Sequence, residues 1–224
     1  MTRRPNDKGR GMSDGLYIQY GCGWDAPEGW IHFDASPTLR IERLPLFGRR
    51  LSAMVKRNPA PFPDNVRYGD VVKGLPLGDE TCRGVYCSHV LEHLGLDDFR
   101  KALTNTKRLL QPGGIFRLVL PDLAFYVSQY LESAAPDAAL EFMRTTGLGE
   151  SSRARGVKGL MQELMGNSRH RWMWDYPSLE RELDHAGFTQ IRKALLGDST
   201  DEKFKQLERQ ERWTNCLGVE CRRI

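Results

Sequence analysis

The 224-residue sequence contains no apolar run near the ~18 residues that a membrane-spanning helix requires. Its first residues, Thr2-Arg3-Arg4-Pro5-Asn6-Asp7-Lys8, lack the apolar core of a secretory signal. A cytoplasmic location without a membrane partner is therefore expected. Cysteine is scarce: Cys22, Cys82, Cys87, Cys216 and Cys221 are odd in number and form no Cys-x-x-Cys pair. That argues against a disulfide framework and a thiolate zinc site, and buried free thiols are expected. A dominant charge is also missing, since 33 basic side chains face 29 acidic ones for a net charge of +4. Neither a small-molecule nor a nucleic-acid partner is excluded by that balance.

What is present is 40% hydrophobic and 28% charged residues, in a length suited to one α/β domain. Residues 1–14 are polar, basic and aperiodic, and read as a flexible leader before a single domain over 15–224. Short β-forming bursts then recur at Leu16–Tyr20, Trp30–Phe33, Val66–Tyr68, Gly84–Cys87 and Ile115–Leu120. Between the last two, Phe99, Ala102, Leu103, Thr106 and Leu110 fall at helical spacing, with Asp97 placed to cap the start and Pro112-Gly113-Gly114 to stop it. Asp122 reads as the N-cap of a further helix bearing Leu123, Tyr126, Val127, Tyr130 and Leu131. A helix over Ser178–Ala186, a strand over Phe188–Leu196, a charged helix carrying Phe204 and Leu207, and a strand over Asn215–Cys221 complete the order. Strands alternating with helices predict a doubly wound, mostly parallel sheet with helices on both faces, whose ligands sit beyond the carboxyl ends of the strands. Residues 134–174 interrupt the alternation and read as a lid or acceptor-binding insertion.

Tyr20-Gly21-Cys22-Gly23 follows the first strand, and glycines there let the backbone turn and approach a ligand. Extended to Ala26 it fits the G-x-G-x-x-A dinucleotide pattern. A pyrophosphate, however, needs a helix N-terminus after the glycines and an acid ~20 residues on. Pro27-Glu28-Gly29 breaks any such helix, and Asp34 comes only 34 − 23 = 11 residues after Gly23. Asp34, at the end of the second strand, is instead placed to accept from ribose hydroxyls. Asp70 is placed to accept from an adenine amino group, with Val71 and Val72 against the ring.

These segments together resemble the class I S-adenosylmethionine-dependent methyltransferases, in particular small type 11-like members. The resemblance rests on Tyr20–Gly23, Gly29–Asp34, Leu75–Asp79, Ser88-His89-Val90-Leu91-Glu92-His93-Leu94 and Leu109–Gly114, and extends to His170–Asp175, Leu179 and Ala186–Phe188. Gln19 stands where many members carry an acid, and Asp25 where many carry a third glycine. The resemblance implies a seven-stranded Rossmann-like sheet and S-adenosylmethionine as cofactor, held by Gln19, Gly21, Cys22, Gly23, Asp34, Ala35, Asp70, Val71, Ser88 and His89. Methyl transfer to a small-molecule or saccharide-like acceptor is the leading expectation, with His93 and His170 as candidate bases. Trp172, Trp174 and Tyr176 are compatible with stacking on a sugar. A nucleic-acid acceptor, suggested by Arg3-Arg4, Arg49-Arg50 and Arg169 to Arg171, and a non-catalytic cofactor-binding role are the alternatives.

A different class competes at one place. His89-Val90-Leu91-Glu92-His93 matches H-x-x-E-H, the inverted zinc-protease motif. Zinc needs both rings one turn apart on a helix face, whereas His89 follows a strand directly, so the rings are expected to diverge and no metal is expected.

Overall fold

The computed structural model describes residues 15–46, 48, 60–150 and 169–224. The expected leader and residues 151–168 of the expected insertion lie outside the described residues. A seven-stranded sheet has the order β3-β2-β1-β4-β5-β7-β6. Its strands are β1 (Leu16–Tyr20), β2 (Ile31–Asp34), β3 (Val66–Tyr68), β4 (Cys82–Ser88), β5 (Leu110–Pro121), β6 (Phe188–Ala194) and β7 (Cys216–Arg223). Every pairing from β3 through β5 is parallel, and only β7 runs against its neighbours β5 and β6. The described helices are α1 (Pro37–Glu42), α2 (Leu96–Leu109), α3 (Leu123–Glu132), α4 (Ala138–Thr145), α5 (Tyr176–His185) and α6 (Gln210–Trp213).

Strand alternation sorts the side chains onto two faces. Ile18, Tyr20, Val85, Cys87, Phe116 and Leu118 meet Phe99, Ala102 and Leu103 of α2 and Leu179 and Leu183 of α5 in the larger core. Tyr17, Tyr86, Ile115 and Val119 point the other way, onto Trp30, Phe204, Leu207 and Trp213. Each large side chain so buried contributes roughly 1.5–3 kcal/mol. The first face has full helices. Over the second lie a 3-10 turn at Glu202–Gln206 and the four-residue α6, shorter elements than the charged helix expected around Phe204 and Leu207.

Local details refine the sequence reading. Gly95, not Asp97, is the N-cap of α2; Asp97 and Asp98 lie in the first turn, where carboxylates complement the helix dipole. Asp122 does cap α3, accepting from the Ala124 N–H at 3.0 Å. Pro112-Gly113-Gly114 is not a free turn: Leu110 pairs with Cys82 and Ile115 with Gly84, so the extra residues bulge within β5.

The chain passes from β1 to β2 on one side and returns from β3 to β4 on the other side of β1. That reversal opens a crevice at the carboxyl ends of β1 and β4, the place where open α/β sheets take ligands.

Candidate functional site

Gly21 and Gly23 turn the chain at the end of β1 with φ of +66° and +55°, values that favour glycine. The N–H groups of Gly21 and Cys22 both bond the Phe33 carbonyl, locking the turn onto β2. A Cβ at Gly21 would collide with Val90 Cγ2 from the β4 side, so the crevice walls touch there. A Cβ at Gly23 would meet nothing within 4 Å, and that side of the turn is open. The Cys22 side chain faces away, into a small cluster with Leu39, Phe62 and Val66, where burial and the Asp34 charge push its thiol pKa up.

Asp34 ends β2 beside this turn. Its Oδ2 accepts from the Gly23 N–H at 3.0 Å and its Oδ1 from the Ser36 N–H at 2.7 Å. Burial raises the carboxyl above its ordinary range, and the two backbone donors partly offset that. The group therefore braces the turn, and a carboxylate with about four acceptor sites keeps capacity for a ligand. Ala35 beside it is exposed. Gly69 donates to the Asp34 carbonyl at 3.1 Å, which brings Asp70 to the same edge. Asp70 accepts from the Val72 N–H at 3.0 Å and lies 3.3 Å from Lys73 Nζ. The Val71 side chain belongs to the core, leaving its backbone and the half-buried Val72 toward that edge. Gln19 is buried on the second face, where the His32 ring bridges its amide at 2.9 Å and the Pro27 carbonyl at 2.7 Å.

Across the crevice, Ser88 ends β4 with a buried Oγ that has no hydrogen-bond partner among the described residues. His89 follows in the left-handed region at φ +56°, held by its N–H to the Val119 carbonyl at 2.9 Å. Its Nε2 donates to the Arg212 carbonyl at 2.9 Å, and its Nδ1 lies 3.3 Å from Glu92 Oε1. Burial works to lower its pKa, but Cys216, Glu92 and the Arg212 carbonyl together push it up to about 10. Cys216 and Arg212, more than 120 residues away in the chain, carried no sequence signal for this role.

The 3-10 turn at Leu91–His93 places Glu92 wholly inside the molecule. His93 Nε2 and His170 Nε2 each stand 4.0 Å from the same Oε1, and the two ring centroids are 5.0 Å apart. His89 Nδ1 and His93 Nε2 lie 3.3 and 4.0 Å from Glu92 Oε1, but the donor atoms that come within 4.8 Å of one another are those of Glu92, His93 and His170, without His89. The candidates His93 and His170, far apart in sequence, are thus brought together. Burial lowers the His170 pKa, against raising contributions from Glu92 and the Thr146 carbonyl. The Arg171 and Trp172 N–H groups bond the Glu92 carbonyl at 2.7 and 3.1 Å, tying this end of the insertion to the turn. Trp172 is exposed, but Trp174 is core: it stacks on Phe99 at 4.3 Å, which removes it as a sugar-stacking surface. Tyr176 is engaged by Glu180 at 2.8 Å. Arg169 pairs with Glu150, while Arg3-Arg4 and Arg49-Arg50 lie outside the described residues.

Residues 21–118 match the family described as Methyltransferase domain. Among curated proteins, none matches the chain. Among solved structures, the chain is similar to a SAM-dependent methyltransferase of Thermotoga maritima described as a possible histamine N-methyltransferase, with a TM-score of 0.49 and 15% identity over 95% of this chain and 84% of that one. A SAM-dependent methyltransferase of Archaeoglobus fulgidus gives a TM-score of 0.48 and 14% identity over 94% and 87%. The 1,6-didemethyltoxoflavin-N1-methyltransferase of Burkholderia thailandensis, solved with S-adenosylhomocysteine, gives 0.46 and 14% over 94% and 71%.

Proposed function

We infer, from the premise that this chain carries a class I S-adenosylmethionine-dependent methyltransferase domain, that it methylates a small-molecule or saccharide-like acceptor and holds its cofactor along the carboxyl edge of β1 to β4. The observation that carries this reading is the Gly21–Gly23 turn at the crevice, open at Gly23 and braced by Asp34. The residues fit the group: a Cβ at Gly23 would meet nothing within 4 Å, so the turn leaves room at the crevice beside the Asp34 carboxylate. S-adenosylmethionine, when bound, supplies a methyl group on a sulfonium for in-line displacement by the acceptor.

Asp34 would accept from the ribose hydroxyls, Asp70 from the adenine amino group, and the backbone of Gly21, Cys22, Gly23, Ala35 and Val71 would line the path between. Gln19 would use the part of its amide that His32 leaves free. Ser88 and His89 would bound the reacting end. The protein's contribution is chiefly to fix acceptor and methyl in line, which removes entropy from the barrier. On the acceptor side, His93 or His170 would draw a proton from a hydroxyl or amine through its Nε2. The exposed Trp172, anchored by its N–H to Glu92, would cover the acceptor.

Calorimetry with S-adenosylhomocysteine, alongside labelled methyl transfer to panels of saccharides, small amines and RNA, tests this reading. Trp172→Ala is expected to lower transfer at least tenfold and to leave S-adenosylhomocysteine affinity within twofold. Equal losses in both would refute the acceptor assignment, and transfer to RNA alone would replace the small acceptor with a nucleic acid.

A further inference from the structure

The groups around Glu92 are arranged in a way that a proton on His89 compensates on one side only. Neither carboxylate oxygen has a hydrogen-bond partner among the described residues, although the side chain is 1% exposed. Burying a carboxylate without partners costs several kcal/mol, so native structures provide a compensating cation or donor. His89 approaches Oε1 at 3.3 Å on one side and supplies part of that compensation there. The other two rings are oriented by carbonyls: His93 Nδ1 lies 2.8 Å from the Arg169 carbonyl, and His170 Nδ1 lies 2.6 Å from the Thr146 carbonyl. A carbonyl can only accept, so each Nδ1 carries a proton, and in the neutral ring each Nε2 then presents a lone pair. Both lone pairs therefore face the same oxygen, Glu92 Oε1. Three electron-rich atoms pointing at one another is an arrangement a cation stabilises.

We propose that Glu92, His93 and His170 form a binding site for one first-row divalent transition-metal ion. Their three donor atoms lie within 4.8 Å of one another. Each would move inward by about half an ångström to reach the ~2.0–2.2 Å of metal–nitrogen and metal–oxygen bonds. Two imidazoles and one carboxylate suit zinc, cobalt, manganese or iron rather than magnesium or calcium, which prefer oxygen throughout. The outer contacts are also those of a metal site, since a ligating imidazole commonly donates its other N–H to a carbonyl that fixes its tautomer. The backbone supports this orientation at Gly147, whose φ of +67° and missing side chain admit the His170 ring; a Cβ there would stand 3.1 Å from Nδ1. Three protein ligands leave coordination positions open. Resting on the methyl-transfer reading, an open position would take an acceptor oxygen and make it easier to deprotonate. This revises the expectation of no metal: the H-x-x-E-H motif contributes its glutamate and second histidine, while the remaining ligand comes from His170 in place of His89.

The test is to strip the full-length protein with chelator and titrate it with Zn²⁺ by calorimetry and with Co²⁺ by visible absorption. One equivalent of each is expected to bind, with Co²⁺ giving ligand-field bands. His93→Ala and His170→Ala are each expected to weaken Zn²⁺ binding at least tenfold and to alter the Co²⁺ spectrum, with S-adenosylhomocysteine affinity unchanged. Glu92→Gln should do the same, and should it fail to fold, the two histidine variants decide. Absence of stoichiometric binding in the unsubstituted protein, or binding unaltered in both histidine variants, would overturn the site. Metal binding without S-adenosylhomocysteine binding would uphold the site and overturn the methyl-transfer reading instead.

Discussion

Burial raises the Asp34 carboxyl, while the N–H groups of Ser36 and Gly23 pull it down again. The sign has two consequences. Because the folded state holds that proton more tightly than the unfolded chain does, this group's contribution to stability falls as pH rises from the ordinary aspartate value through the raised one. Ligand hydroxyls need the ionised form, so S-adenosylhomocysteine affinity is expected to drop on acidification, beginning above the ordinary aspartate range. Asp34→Asn is expected to weaken that ligand by ~1.5–3 kcal/mol, about 10- to 150-fold, through loss of charge-assisted hydrogen bonds. It should also flatten the pH dependence; calorimetry between pH 4.5 and 8 that finds full affinity in the variant would reduce Asp34 to a brace for the turn. Gly21 is a second single-residue lever, since an alanine there meets both a positive φ and the Val90 methyl group. Gly21→Ala is expected to cost at least about 1–3 kcal/mol in urea unfolding, with loss of ligand binding beyond that of Asp34→Asn.

Within β5 the apolar alternation of Phe116, Leu118 and Leu120 was legible because strand periodicity is local. Arg117 between them was not, since its wholly buried guanidinium depends on partners that arrive much later in the chain. It donates to Glu208 at 2.5 Å, to Glu220 at 3.0 Å and to the Leu195 carbonyl at 2.6 Å, under the Trp213 ring. Arg117 and Glu220 are also directly opposed in the β5–β7 register. Arg117→Met is expected to lower unfolding free energy by ~3–5 kcal/mol, because it leaves the buried Glu208 without its cation and takes from Glu220 one of two arginines, Arg192 remaining at 2.8 Å. Replacing Glu208 and Glu220 by glutamine in the same chain should restore part of the loss; a denaturation midpoint unmoved by Arg117→Met would contradict the account. The same limit explains the site. The glycine turn and Asp34 could be read from adjacent residues, whereas the meeting of Glu92 with His170 needs the 3-10 turn, the Thr146 carbonyl and the Arg171 and Trp172 N–H groups at once. α1 and α4 escaped the reading because six- and eight-residue helices offer too few turns for a periodic signal.

At the scale of the molecule, the question is which nucleotide the carboxyl edge admits. In a dinucleotide-binding βαβ unit the glycine turn runs into a helix whose N-terminal N–H groups and dipole hold the pyrophosphate. Here the connection from β1 to β2 contains no helix, and α1 begins at Pro37, only after β2 has ended. Pro27 lends its carbonyl to His32, Gly29 turns at φ +85°, and Arg209 clamps Asp25 at 3.1 Å, so that connection is fixed in a non-helical path by contacts along its length. Two adjacent phosphate charges would find no helix N-terminus there, whereas an uncharged ribose and adenine meet Asp34 and Asp70. S-adenosylhomocysteine at 100 times its dissociation constant is therefore expected to stabilise the protein by ~2.7 kcal/mol. For a chain of this length that is a rise in Tm of roughly 5–11 °C. NAD at the same concentration should leave Tm unmoved. The reverse pattern in a thermal-shift comparison would show that the helix-free connection does not select the nucleotide, and would reopen the dinucleotide reading of Gly21, Gly23 and Ala26.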